Sequence, residues 1–378
     1  MPRSLSQCSV HHLLDTGELG GGNVVALTTA RLLKPHFSES HLWTDPGPAE
    51  AVATADGLTL HHLGQTTLRA AGRLGGRVLE WRLGRRLRKF QPGIAHVSSA
   101  FLYGLTSRAA KGSGLRRIVH VQIEDTAPNW QWAFREPPDM IVTCAHFLVA
   151  GVRDAVRNRT PVICIPNAVD VDRYSPGDKQ EAKRTVNAPV DRPLLLMLAN
   201  LAPHKGQLTA IDALARVRQR GINAECWLAG TERGGGTTFT EELKARIVTL
   251  GLGESVKLLG HRADAPDLLR AADVFLLPST NEGLPLAILE AQAAGVPVLA
   301  APTAGVPETI SDGETGFLIA ADDAAGYADT IALLLGESAA RERITAAALA
   351  QVRRESTWAA YGRRMREVYE ELATAIPS

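Results

Sequence analysis

Two acids stand eight residues apart in the segment Leu277-Pro278-Ser279-Thr280-Asn281-Glu282-Gly283-Leu284-Pro285-Leu286-Ala287-Ile288-Leu289-Glu290. The apolar run from Val274 to Leu277 reads as a strand that leads into a polar turn, and the turn opens a helix. Pro285 suits the first helical turn, where no backbone N–H is needed, and Gly295 followed by Pro297 suits the helix end. Glu282 therefore falls in the loop just before the helix, and Glu290 about a turn inside it. Between them the backbone N–H groups near Gly283 and Leu284 sit at the positive end of the helix dipole, a ready anion site. One carboxylate can then accept sugar hydroxyls and the other ribose hydroxyls, while the backbone between them holds a diphosphate. Acids at this spacing mean little alone, because helices carry many such pairs. The signal lies in their setting, after an apolar strand and before Ala294-Gly295-Val296-Pro297-Val298.

This segment resembles the E-x7-E signature of retaining glycosyltransferases of family 4, which use nucleotide sugars and have the GT-B fold. The resemblance implies that Glu290 holds the ribose, and that Glu282 with the Gly283-Leu284-Pro285 backbone holds the sugar. Leu198-Ala199-Asn200-Leu201-Ala202-Pro203-His204-Lys205-Gly206 is similar to the family's Gly-Arg-Leu-x-x-x-Lys-Gly loop. Lys205 is thereby implied as the partner of the diphosphate, an ammonium on a flexible stem being a point charge for phosphate. Asn200 stands where the family usually has Arg. Charge on the leaving group then falls to Lys205, to the helix N-terminus and to Arg262, which follows Gly260-His261 and is a candidate replacement or nucleotide contact. Glu225 to Thr231 resembles the family's strand and Gly turn beside the donor, where Gly230 lets the backbone approach a ligand. Gly234-Gly235-Gly236, just beyond, reads as a loop.

In the first half, Gly20-Gly21-Gly22 comes directly after a strand and before a helix. A Gly-rich turn alone is a weak signal, but the GT-B resemblance places it near the acceptor and the donor phosphate. The family usually has a His at the end of the strand that here reads Ile118-Val119-His120-Val121-Gln122-Ile123-Glu124-Asp125. Counting along the strand puts Gln122 at that position and His120 one step back on the same face. Gln122 and Glu124 are thus candidates, and His120 is either a site residue or a buried structural one. Asp170-Val171-Asp172 resembles the D-x-D motif of metal-dependent glycosyltransferases. That motif belongs to a different fold, so no metal and no cofactor is expected beyond a UDP- or GDP-sugar substrate.

These residues need two scaffolds. In the first half, Cys8 to Leu14, Ile94 to Val97, Ile118 to Gln122, Met140 to Cys144 and Val162 to Ile165 read as strands. In the second, Leu194 to Leu198, Glu225 to Ala229, Val256 to Leu259, Val274 to Leu277 and Val296 to Ala300 do so, with helical stretches between. Strands separated in this way imply parallel sheets with crossover helices, whose ligands sit at the carboxyl ends of the strands. The expected class is α/β, with two Rossmann-like domains that the GT-B resemblance sets facing each other across a cleft. Ile165-Pro166-Asn167-Ala168-Val169-Asp170 resembles the family's domain exit, with Ala168 in place of Gly. The boundary expected from it gives an acceptor-side domain over 1–174 and a nucleotide-sugar domain over 175–356. The amphipathic segment 357–378 is implied to pack back on the first.

A chain of 378 residues suits two cores of ordinary size, and its net charge of +1 argues against a general nucleic-acid binder. No apolar run is long enough to span a membrane and the N-terminus lacks a signal-peptide pattern, so a cytoplasmic protein is expected. Cys8, Cys144, Cys164 and Cys226 are scattered singly in apolar contexts and read as buried thiols. Arg69, Arg73, Arg77, Arg82, Arg85, Arg86, Arg88 and Lys89 surround Leu79, Leu83, Leu87 and Phe90. With the leucines packed inward, Arg82, Arg86 and Lys89 share an outer face that is either simply solvated or in peripheral contact with an anionic surface, such as the inner membrane face beside a lipid-linked acceptor. The implied function is metal-independent, retaining transfer of a sugar to an acceptor hydroxyl in a small molecule, lipid or glycan. The alternatives are a catalytically silent nucleotide-sugar-binding partner subunit and another activity on the same donor, epimerisation or hydrolysis. Sugar, base, acceptor and oligomeric state stay open.

Overall fold

The run Leu194-Leu195-Leu196-Met197-Leu198 carries apolar side chains on both faces, which suits a strand covered on both sides by helices. In the computed structural model, whose described residues are 3–63, 72–232 and 236–376 (side chains of 72–77 and 79 excepted), it is the central strand of the second of two units. Arg69, Gly234 and Gly235 lie outside the described residues, as do the side chains of Arg73, Arg77 and Leu79. One unit comprises Met1–Asn167 with Ala359–Ser378, the other Ala168–Trp358.

The first unit carries one sheet of β1 (Ser9–Leu13), β2 (Glu39–Thr44), β3 (Thr59–His62), β4 (Gly93–Val97), β5 (Arg116–Val121), β6 (Met140–Thr143) and β7 (Val162–Cys164). Its order is β3-β2-β1-β4-β5-β6-β7, with every pairing parallel. Two of these strands, β2 and β3, escape the sequence reading because histidines stand where an apolar residue would mark a strand. Alternation along β1 sends His11 and His12 to opposite faces. His11 stacks on His41 with ring centroids 4.6 Å apart, beside Trp43 and Phe90. On the other face His12, His96 and His120 form a row with successive centroids 5.5 and 5.7 Å apart. Burial pulls the pKa of His11 down to about 2, of His12 to about 3 and of His120 to about 4. These rings are neutral and serve as core.

The helix Trp358–Thr374 completes this unit. Tyr361, Met365, Val368 and Leu372 recur at helical spacing and are buried. Its polar anchors are the Tyr361 hydroxyl, 2.8 Å from Thr29 Oγ1, the Tyr369 hydroxyl, 2.5 Å from His96 Nδ1, and Arg364, which donates to the Cys164 carbonyl at 2.7 Å.

The second unit's sheet runs β10 (Val256–Gly260), β9 (Glu225–Ala229), β8 (Leu194–Leu198), β11 (Val274–Leu277), β12 (Val298–Ala300) and β13 (Phe317–Leu318), again all parallel. Leu195, Met197, Cys226, Leu228, Leu276 and Leu299 pack with Ile211, Leu214 and Tyr327 as its core. Ala168 to Tyr174, expected to close the first domain, lie with this unit: Val169 N–H donates to Ser356 at 2.8 Å and the Tyr174 phenol bonds Glu290. In both sheets the connections run outward in two directions from a central gap, β1/β4 in the first and β8/β11 in the second. Such a switch point leaves a crevice beyond the carboxyl ends of the strands.

Candidate functional site

At the β8/β11 switch point, two loops are tied together by their backbones. The chain leaves β8 through Ala199 to Ala202, makes the 3-10 turn Pro203–Lys205 and enters the helix Gln207–Gln219 at Gly206. It leaves β11 through Pro278 to Pro285 and enters the helix Leu286–Ala293. Thr280 N–H donates to the His204 carbonyl at 2.8 Å, and Ser279 Oγ approaches the Lys205 carbonyl at 3.4 Å. Gly206 makes the close approach possible: its φ is +78°, and a Cβ there would collide with the Pro278 carbonyl.

The tie brings Lys205 Nζ to 2.8 Å from Glu282 Oε1, with both side chains largely buried. Two residues that the sequence places 77 positions apart thus form one ion pair. An ammonium has three donors, so Lys205 can keep Glu282 and still meet a phosphate oxygen. Pro285 sits one step earlier than expected. Its φ of −71° and ψ of 121° make it the N-cap, and the first helical residue is Leu286, because the extended ψ turns the chain into the helix one residue later. Gly283 stays anchored, its carbonyl accepting from Gly305 N–H at 2.9 Å, and Leu284 is buried.

Glu290 lies one turn inside that helix, half-buried. Burial raises its carboxyl pKa, while a hydrogen bond from the Tyr174 phenol and the charge of Arg173 pull the other way. Tyr174 is itself buried, which pushes its phenol well above the usual range. This partner escaped the sequence reading, since nothing local to Tyr174 points 116 residues downstream.

Asn200 and Gly230 sit side by side at the ends of β8 and β9. A Cβ on Gly230, whose φ is +151°, would collide with the Ala199 carbonyl, and its N–H donates to Gly260 at the end of β10. Arg262 follows in the loop after β10. Asp264 holds its guanidinium with two bonds, 2.7 and 2.5 Å, which raises the Arg pKa and lowers that of the Asp. Both candidate cations are thus paired with a carboxylate, Arg262 with Asp264 and Lys205 with Glu282. Asp170 directs its carboxylate at the N–H groups of Asp172 and Arg173, 3.2 and 3.0 Å away, so Asp170-Val171-Asp172 forms a turn. Among the described residues no three His, Cys, Asp or Glu side chains are grouped to hold a metal ion.

In the first unit, Gly20 is the N-cap of the helix Gly21–Leu33, so Gly21 and Gly22 belong to its first turn and not to a loop. Without side chains, they leave this helix start open. Gln122, one residue past β5, donates from Nε2 to the Gly22 carbonyl at 3.2 Å, which joins two of the sequence candidates at the carboxyl edge of the sheet. Glu124 is exposed nearby in the chain. His120 is not with them. It is fully buried, and neither ring nitrogen meets a partner among the described residues.

Residues 178–351, which contain Lys205, Glu282 and Glu290, match the family described as "Glycosyl transferases group 1". A D-inositol 3-phosphate glycosyltransferase of Corynebacterium efficiens is 33% identical over 270 residues, covering 70% of this chain and 61% of that protein, so the match spans less than two thirds of its length. The enzyme of the same name from Stackebrandtia nassauensis is 28% identical, across 94% of this chain and 89% of that protein. Among solved structures, HepE of Anabaena in complex with UDP superposes with a TM-score of 0.80 at 19% identity, over 96% of this chain and all of that one. At that identity the likeness is one of fold: both units have the parallel-sheet α/β architecture of the GT-B fold. With the signature residues in place at the second unit's switch point, residues 178–351 are a group 1 glycosyltransferase domain by similarity.

Proposed function

We propose that the protein transfers a sugar, with retention of configuration and without a metal, from a nucleotide-diphosphate donor to an acceptor hydroxyl. The observation that carries this reading is the Lys205–Glu282 pair, 2.8 Å apart at the carboxyl ends of β8 and β11. Glu290 accepts the ribose hydroxyls and Glu282, with the Gly283-Leu284-Pro285 backbone, those of the sugar. The donor is a UDP- or GDP-sugar; the structural neighbour HepE was solved with UDP, which supports the first. In the reaction the bond between sugar C1 and the β-phosphate oxygen breaks, and the acceptor oxygen bonds C1 on the same face. The acceptor proton passes to the departing phosphate. Lys205 meets the negative charge that grows there, stabilising the transition state more than the ground state. Gln122 and the Gly20-Gly21-Gly22 helix start are the acceptor-side candidates on the first unit. The relatives' names make inositol 3-phosphate the first acceptor to try.

Asn200 in place of an Arg and the burial of His120 favour one second reading, a subunit that binds the donor without turning it over. A panel of UDP-, GDP- and ADP-sugars, each with and without inositol 3-phosphate, separates the two. Nucleoside diphosphate release with a glycosylated product of retained anomeric configuration supports transfer. Donor binding without any release supports the silent subunit, and release without a product on the acceptor supports hydrolysis.

A further inference from the structure

Three helices lie side by side on the first unit: Gly72–Leu87, Ala100–Ser113 and Ala127–Ala133. Arg88 donates to the Gly112 carbonyl at 3.0 Å, and Arg135 to the Gly104 carbonyl at 2.7 Å. The first helix buries Leu83, Leu87 and its one acid, Glu80. Its opposite face shows Val78, 51% exposed, and Trp81, 58% exposed, in line with Arg82 and Arg85 at helical spacing. On the neighbouring helices Phe101 and Trp132 are also exposed, their ring centroids 5.8 Å apart. Each exposed tryptophan carries a guanidinium over its ring, Arg85 at 5.0 Å from Trp81 and Arg135 at 5.2 Å from Trp132.

Arg86 does not belong to this face, although its sequence spacing suggested so. It lies over the buried Trp43 ring at 4.5 Å and donates to the His62 carbonyl at 3.0 Å. The outer face is therefore rotated from the one that spacing alone suggests, and the rotation brings Trp81 and Val78 in among the cations.

We propose that this aromatic and arginine-rich face docks on an anionic lipid bilayer. Exposed large apolar side chains on three neighbouring helices call for a partner. Tryptophan rings with a polar edge favour the headgroup level, and arginines beside them match anionic headgroups. The cations placed on this face are Arg82, Arg85 and Arg135, and the first helix's one acid, Glu80, is buried, so the partner's charge is negative. No helix among the described residues is long and apolar enough to cross a membrane, so docking is peripheral. The inference stands apart from the transfer reaction.

Co-sedimentation of the full chain with vesicles tests it, using phosphatidylcholine alone and phosphatidylcholine with one-third phosphatidylglycerol, at low and high salt. Binding is expected only to the anionic vesicles and is weakened by salt. The double variant Arg82→Gln, Arg85→Gln should bind about twenty-five-fold more weakly, the product of about fivefold per surface cation. Trp81→Ser should weaken binding that persists at high salt. All are surface changes, and circular dichroism checks that the fold is kept. Equal, negligible binding of the wild-type chain to both vesicles overturns the proposal, as does undiminished binding by the double variant. Retention on a soluble polyanion with no binding to vesicles would also overturn it, by assigning the face to a different partner.

Discussion

Lowering the pH from 8 to 5 should unfold the first unit before the second. His11, His12 and His120 are almost fully buried and neutral, with pKa values held down to about 2, 3 and 4 by burial. In the unfolded chain each returns to about 6.5. Because the folded values are depressed, the unfolded chain binds the protons first, so stability is lost as pH falls below about 6.5 and goes on falling toward the folded values. At pH 5 each ring then contributes about 2 kcal/mol of destabilisation, and the three together about 6 kcal/mol. A domain has only about 5–15 kcal/mol in all. The second unit, whose His204 and His261 are exposed, serves as the internal reference. Urea unfolding followed at half-unit steps of pH should show two transitions, the first moving steeply to lower urea in acid. His120→Leu should reduce that slope by about 1.4 kcal/mol per pH unit, one proton's worth. The same change should leave neutral-pH stability nearly unaltered, since neither ring nitrogen has a partner to lose. Coincident transitions with the same pH slope in wild type and His120→Leu would show that the buried histidines do not set the acid stability of the first unit.

At the second unit's site, Lys205→Ala should slow the single-turnover chemical step by at least about a hundredfold, the scale of one preorganised donor removed. Asn200→Arg should be tolerated and tighten diphosphate binding, read by calorimetry. Glu290→Gln should weaken nucleotide binding by about 1–3 kcal/mol, and Tyr174→Phe by about 1 kcal/mol through looser placement of the same carboxylate. Unchanged affinity in both would remove Glu290 from the ribose. Turnover should survive EDTA; activity lost to chelation and restored by manganese or magnesium would return Asp170 and Asp172 to consideration.

What the sequence made legible was local. Lys205 was readable from the resemblance of its loop to the family's, and Glu282 from its setting between an unbroken apolar strand and a helix. Nothing in the sequence announced that Thr280 N–H would bond His204 and draw the two charges to 2.8 Å. Tyr174 was missed for the same reason, since its partner lies in a distant helix. In the first unit β2 and β3 were hidden by His41, His61 and His62, polar in a scale of residue types but in part packed as rings. The basic helix was found but set with the wrong rotation. Spacing grouped Arg86 with Arg82, whereas the buried Trp43 ring takes Arg86 away and leaves Trp81 outside.

In the proposed reaction Lys205, Glu282 and Glu290 build one nucleoside diphosphate site at the β8/β11 switch point. A crystal structure of the full chain with UDP or GDP tests it most directly. Diphosphate oxygens are expected within ion-pair reach of Lys205 Nζ beside the Gly283–Leu284 backbone, and ribose hydroxyls on the Glu290 carboxylate. A nucleotide bound elsewhere, with the Lys205–Glu282 pair undisturbed and Glu290 still facing only Tyr174, would contradict it.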